Sequence, residues 1–298
     1  MNELQGAGVA LVTPFNVDGT IDFNSLAGLI EYQIEQGMDY LVSLGTTGET
    51  ATLSAQERKQ VFEFTAKQVN HRVPLVAGIG GNNTLEVVEQ LKAFNTEGFC
   101  AVLSVSPYYS KPSQEGIYQH YKAIATASNL PVILYNVPGR TGSSVSAATT
   151  VRLAKEYSNI VATKEASGSF SQFSEILRDK PKEFLLISGD DPITLPMMAL
   201  GASGIISVVG NAYPKKIQTL ASHCAKGEYQ QARPIHESLL KLIDLCFVEG
   251  NPCGVKFILK ELGVIQSDQV RLPLVPVSTS TQQSIRVAMA ELSVVSEF

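Results

Sequence analysis

The chain has 298 residues, with 44% hydrophobic and 17% charged side chains, the balance of a globular protein with a core sufficient for one large domain or two ordinary ones. Its net charge of −5 comes without a basic block, which excludes the electrostatic footprint of a nucleic-acid binder, and no apolar run is long enough to span a bilayer. The four cysteines, Cys100, Cys224, Cys246 and Cys253, lack CxxC spacing, and no second pair completes His223-Cys224 as a zinc site, so no metal is expected. The opening segment lacks the basic start and apolar stretch of a secretory signal, so a cytoplasmic location is expected.

Eight short apolar runs recur along the chain, at 8–15, 40–45, 74–80, 101–107, 131–138, 160–167, 184–190 and 204–210. The segments between them carry helical periodicity. Phe23, Leu26, Ile30 and Ile34 share one face of a helix over 23–36. Ser54 and Glu57 form a capping box that opens a helix running to Val69. Thr84 and Val87 mark a weaker start ahead of Leu91 and Phe94. Strands that are apolar on both faces and alternate with helices predict a parallel sheet covered by helices. Eight such units fit a (β/α)8 TIM barrel. A doubly wound open sheet is the alternative, but no GxGxxG follows the first strand and no GxxxxGK[ST] occurs; the glycines of 78–81 are wrongly spaced. After Asn211 the strand rhythm stops. Helices are predicted over 215–224, 229–247 and 254–262, then a Pro-rich connection over 272–276 and an amphipathic helix around 282–292. The first of these serves as the eighth barrel helix, which divides the chain into a barrel over 1–225 and a C-terminal helical extension over 226–298.

Functional residues of a barrel sit at the C-terminal ends of its strands. The second run ends Gly45-Thr46-Thr47-Gly48-Glu49-Thr50, the fourth Ser106-Pro107-Tyr108-Tyr109, and the fifth Tyr135-Asn136-Val137-Pro138-Gly139-Arg140-Thr141-Gly142. The sixth carries Lys164 inside an apolar stretch, and the seventh ends Ser188-Gly189-Asp190-Asp191. Each has an ordinary structural reading: a capped turn, aromatic rim packing, a surface charge, or a strand-end lysine that snorkels to solvent or pairs with Glu165. Gathered at one barrel mouth they suggest a site. A buried lysine escapes the cost of its charge by losing its proton, and a neutral amine is a nucleophile towards carbonyl groups. Lys164 would then attack a 2-oxo acid, with Tyr135 and Thr46 suited to shuttle protons. The Gly-Thr-Thr-Gly backbone and the Thr47 hydroxyl suit a small carboxylate, and the planar fork of Arg140 suits a second one. The site expects two small anionic partners and no cofactor.

Taken together, Gly45-Thr46-Thr47-Gly48-Glu49, Pro107-Tyr108-Tyr109, the segment from Tyr135 to Gly142 and Lys164-Glu165-Ala166 resemble the dihydrodipicolinate synthase family. That family is a branch of the N-acetylneuraminate lyase superfamily of class I aldolase barrels. The resemblance implies condensation of pyruvate with L-aspartate 4-semialdehyde in lysine and diaminopimelate synthesis. It implies Lys164 as the Schiff-base lysine and Tyr135, Thr46 and Tyr109 as a proton relay, with Tyr109 reaching a neighbouring subunit's site. It further implies Thr47 on the pyruvate carboxylate, Arg140 on the semialdehyde carboxylate, the Ile206 main chain along the pyruvate pocket, and a homotetramer built as a dimer of dimers. Sialic-acid lyases of the superfamily usually carry Gly-Ser-Thr-Gly in place of Gly45–Gly48 and lack the Arg-Thr-Gly found at Arg140. The remaining alternatives are another pyruvate-dependent aldolase of the superfamily, acting on N-acetylneuraminate or a 2-keto-3-deoxy sugar acid, and a non-catalytic barrel that binds a keto acid. Lysine-inhibited members carry histidines where this chain has Ala55 and Arg58. Asn82, Glu86 and Tyr108 remain as parts of an allosteric lysine pocket, and weak or absent inhibition is expected.

Overall fold

Strands that are apolar on both faces are stable only between two apolar layers, and all eight runs find that position. The computed structural model describes residues 2–295. Its strands are β1 (Gly6–Ala10), β2 (Tyr40–Ser43), β3 (Leu75–Gly78), β4 (Ala101–Val105), β5 (Val132–Asn136), β6 (Ile160–Glu165), β7 (Leu185–Ser188) and β8 (Gly204–Ser207). They pair in parallel and in sequence order, and β8 returns to β1 to close the barrel. Closure brings β1 and β8 very close. A Cβ on Gly204, whose φ is +155°, would lie 2.0 Å from the Gly6 carbonyl oxygen, so only glycine fits this seam.

The helices are α1 (Phe23–Glu35), α2 (Ala55–Val69), α3 (Thr84–Ala93), α4 (Gln114–Ala127), the short turn α5 (Pro138–Thr141), α6 (Ala147–Glu156), α7 (Phe170–Asp179), α8 (Thr194–Leu200) and α9 (Pro214–Ala225). Beyond them lie α10 (Tyr229–Phe247), α11 (Cys253–Glu261) and α12 (Thr279–Val295). One apolar cluster fills the barrel, with Tyr40, Val76, Leu103, Ile133, Ile187 and Ile206 among its members. A second lies between strands and helices and runs on without a break from Leu26, Phe173 and Leu220 into Leu239, Ile243, Ile285 and Leu292 of the last helices. Among the described residues no helix is long and apolar enough to cross a membrane.

Local signals decide several boundaries. Ser54 accepts from the Glu57 N–H at 3.2 Å while Glu57 accepts from the Ser54 N–H at 2.8 Å, so the expected capping box opens α2. At α3 the expectation needs correcting. Asn83, not Thr84, is the cap, accepting from the Leu85 N–H, because the Thr84 hydroxyl is hydrogen-bonded to His120 Nδ1 at 2.9 Å. The first run also ends earlier than expected. Strand pairing stops at Ala10, and Phe15 forms an antiparallel bridge with Ile21.

Candidate active site

Register places the lysine. Lys164 of β6 lies opposite Tyr135 of β5 and Ile187 of β7. Side chains alternate along a strand, so Lys164 and Tyr135 turn inward while Asn136 and Glu165 turn outward. Glu165 accepts from Asn136 Nδ2 at 3.0 Å, from the Ser167 N–H at 2.9 Å and from Gln172 Nε2 at 2.8 Å. The outward turn of Glu165 excludes its pairing with Lys164, and burial excludes snorkelling: Lys164 is only 4% exposed. Its Nζ lies 4.4 Å from the Tyr135 ring centroid. A Cβ on Gly189 would come within 3.0 Å of the Lys164 side chain, so the glycine at the end of β7 leaves room for the lysine stem.

Burial pulls the Lys164 ammonium down to about 8, with Asp191 and Asp190 opposing that effect and the Arg140 charge adding to it. Asp191 is itself buried, accepting from the Ser207 hydroxyl and, at 2.9 Å, from the Val208 N–H. Burial pushes the Tyr135 phenol up, opposed by the Arg140 charge and a hydrogen bond with Thr46. A hydroxyl pair and a cation thus lie near a lysine whose ammonium gives up its proton far more readily than an ordinary one.

A cleft of about 580 Å³ is lined by Thr46, Tyr135, Val137, Arg140 and Asn251 together with Asn82, Glu86 and Tyr108; it meets the lysine's surroundings at Thr46, Tyr135 and Arg140, while Lys164 itself does not line it. Thr46 and Arg140 are exposed to it, whereas Thr47 is buried beneath. Ile206 lies in β8 opposite Gly8 and is fully inside the barrel. Asn82 Nδ2 donates to the Tyr108 carbonyl at 3.3 Å. Tyr109 stays outside the cleft: it is 89% exposed on a backbone with φ of +71°. Arg58 borders the cleft and also a groove between α2 and α3 that includes Ala55; its Nη1 donates to the Leu53 carbonyl at 2.8 Å.

The C-terminal segment grips the Gly-Thr-Thr-Gly-Glu loop, a feature that local sequence reading misses. Lys256 of α11 forms an ion pair with Glu49 at 2.5 Å, with both side chains at most 1% exposed. Lys256 also donates to the Gln269 carbonyl at 2.8 Å, and Glu49 accepts from the Arg271 N–H at 3.0 Å. The Arg271 guanidinium bonds the Thr52 carbonyl at 3.0 Å and pairs with Glu57 at 2.5 Å. The Phe15 ring lies against both cations, 4.1 Å from Lys256 Nζ and 4.6 Å from Arg271 Cζ. Asn251 Nδ2 donates to Thr47 Oγ1 at 2.9 Å. One signal was available: Lys256 interrupts the apolar run Val255-Lys256-Phe257-Ile258-Leu259, the same anomaly that marks Lys164.

The model of the dihydrodipicolinate synthetase family matches residues 3–292. A 4-hydroxy-tetrahydrodipicolinate synthase of Parabacteroides distasonis is 51% identical over 291 residues, 98% of each chain. Among solved structures, dihydrodipicolinate synthase from Aquifex aeolicus superposes with a TM-score of 0.94 at 39% identity, covering 97% of this chain and 98% of that one. The chloride-inhibited dihydrodipicolinate synthase of Acinetobacter baumannii, complexed with pyruvate, matches with a TM-score of 0.94 at 43% identity, covering 97% and 99%.

Proposed function

The chain belongs to the dihydrodipicolinate synthetase family, and on that premise we propose how it condenses pyruvate with L-aspartate 4-semialdehyde, as a lyase of lysine and diaminopimelate biosynthesis: through an imine on Lys164. The neutral Nζ adds to the pyruvate carbonyl carbon, and loss of water leaves a protonated imine. Loss of a methyl proton gives the enamine, whose carbon attacks the aldehyde carbon. The semialdehyde's own amine then displaces Lys164, closing the ring and freeing the enzyme as 4-hydroxy-tetrahydrodipicolinate forms. Tyr135 moves the protons with Thr46 as its neighbour, Thr47 holds the pyruvate carboxylate beside the Ile206 main chain, and Arg140 at the mouth takes the semialdehyde carboxylate. The observation that carries this reading is the buried lysine in register with Tyr135, its charged form disfavoured by burial. Tyr109, exposed beside Tyr108, is assigned to the relay of a neighbouring subunit in a homotetramer built as a dimer of dimers. Support comes from aromatic side chains that stand free of the protomer, as interfaces favour. The same reading puts the enzyme in the cytoplasm.

Pyruvate consumption against L-aspartate semialdehyde, N-acetylmannosamine and glyceraldehyde, with and without lysine, tests it. Turnover with the semialdehyde alone is expected. Turnover with a sugar aldehyde instead would leave Arg140 without its role. Lysine is expected to inhibit weakly or not at all, because the Ala55 methyl and the Arg58 guanidinium, drawn back onto the Leu53 carbonyl, offer no imidazole beside Glu86; half-inhibition at low micromolar lysine, an order-of-magnitude mark of tight binding, would contradict that.

The pH dependence follows from the amine. With Lys164 near 8, roughly a tenth of it is neutral at pH 7, some hundreds of times more than for an ordinary lysine. The kcat/KM for pyruvate is therefore expected to climb with pH and level off above about 8. Tyr135, pushed up by burial, stays a proton donor through that range. A profile flat through this region would remove Lys164 as the titrating nucleophile.

A further inference from the structure

Asn251 lies in the connection between α10 and α11, 204 residues from Thr47 in sequence, yet its Nδ2 donates to Thr47 Oγ1 at 2.9 Å, with both groups buried. A threonine hydroxyl has one hydrogen and two lone pairs. The Asn251 amide occupies one lone pair, and among the described residues no hydrogen bond takes the hydroxyl hydrogen. Asn251 also borders the cleft, and its Oδ1 is buried without a partner. The reversed amide would strand the NH2 donors instead, which proteins tolerate less often than a stranded carbonyl. A second tie joins the same two segments: Lys256 holds Glu49, two residues beyond Thr47.

We propose that Asn251 is a positioning residue for carboxylate recognition: by donating to Thr47 Oγ1 it turns the threonine's own proton towards the pyruvate carboxylate. The inference rests on the role given to Thr47 above. It makes the hydroxyl's direction a property of the C-terminal segment rather than of the barrel strand that carries the threonine.

Steady-state kinetics of Asn251→Ala, Asn251→Asp, Thr47→Val and the Asn251→Ala/Thr47→Val pair separate the possibilities. Asn251→Ala is expected to raise the KM for pyruvate about tenfold, the scale of one lost hydrogen bond. Its kcat and its KM for the semialdehyde should stay within about twofold, the pattern of lost uniform binding. Asn251→Asp, nearly the same shape, should be worse, because a carboxylate accepts the Thr47 proton and repels the substrate anion. The double variant should be no worse than Thr47→Val, since Asn251 acts through Thr47. An unchanged pyruvate KM in Thr47→Val would overturn the role of Thr47. An impaired Thr47→Val beside a normal Asn251→Ala would overturn the role of Asn251 alone. So would additive losses, or equal losses in kcat and in both KM values. If Asn251→Ala fails to fold, Asn251→Asp carries the comparison: a pyruvate KM equal to that of the parent overturns the proposal.

Discussion

Lys164→Ala is expected to melt with the parent protein yet lose at least about a thousandfold in kcat/KM, because the variant lacks the amine that forms the imine. Removing the side chain should cost little stability. The ammonium is buried against an aromatic face, and the shift to about 8 records that burial disfavours its charged form. Lys164→Arg should be equally inactive, since a guanidinium keeps its charge at any working pH. Borohydride with pyruvate should add mass to the parent chain and leave Lys164→Ala unmodified. Residual activity within about tenfold of the parent would end the imine mechanism. The same variant locates Tyr109, which is 89% exposed and outside its own cleft. Lys164→Ala and Tyr109→Phe, each weak alone, should regain activity when refolded together, because a hybrid pair contains one site with both groups intact. No recovery would take Tyr109 out of the neighbour's relay.

Lys256→Met is the second large effect, on stability. Glu49 and Lys256 are almost wholly buried, and Glu49 adopts a left-handed backbone with φ of +53° at the end of the Gly-Thr-Thr-Gly turn. A buried pair contributes little net stability, but removing one partner strands the other charge at about 3–5 kcal/mol. For a chain of this size that corresponds to a melting temperature lower by roughly 5–8 °C. Lys256→Met/Glu49→Gln, with no stranded charge, should recover much of the loss. A single variant that melts with the parent would show that the pair does not anchor the loop. Because Thr47 sits two residues from Glu49, the single variant should also bind pyruvate more weakly at temperatures where it remains folded.

The sequence by itself determined the barrel and pointed to the candidate residues at its mouth. Parallel strands must be apolar on both faces, so each of the eight runs stood out, and α10 begins and ends where its periodicity predicts, at Tyr229 and Phe247. Lys164 was legible because charge inside such a run is anomalous. Thr46, Tyr135 and Arg140 stood out as candidates because strand ends are where a barrel keeps function, and the structure brings the three together at one cleft. Local pattern put the start of α3 at Thr84, whereas Asn83 caps it; both residue types are good caps. The choice came from His120, which takes the Thr84 hydroxyl from 36 residues away. Tertiary structure alone decided which way Lys164 and Glu165 point, because pairing register with β5 sets the inward side. It alone joined Asn251 to Thr47 and Lys256 to Glu49. Periodicity reports only a residue's near neighbours along the chain, and these partners become neighbours once β8 closes on β1 and the last helices fold back over the barrel mouth.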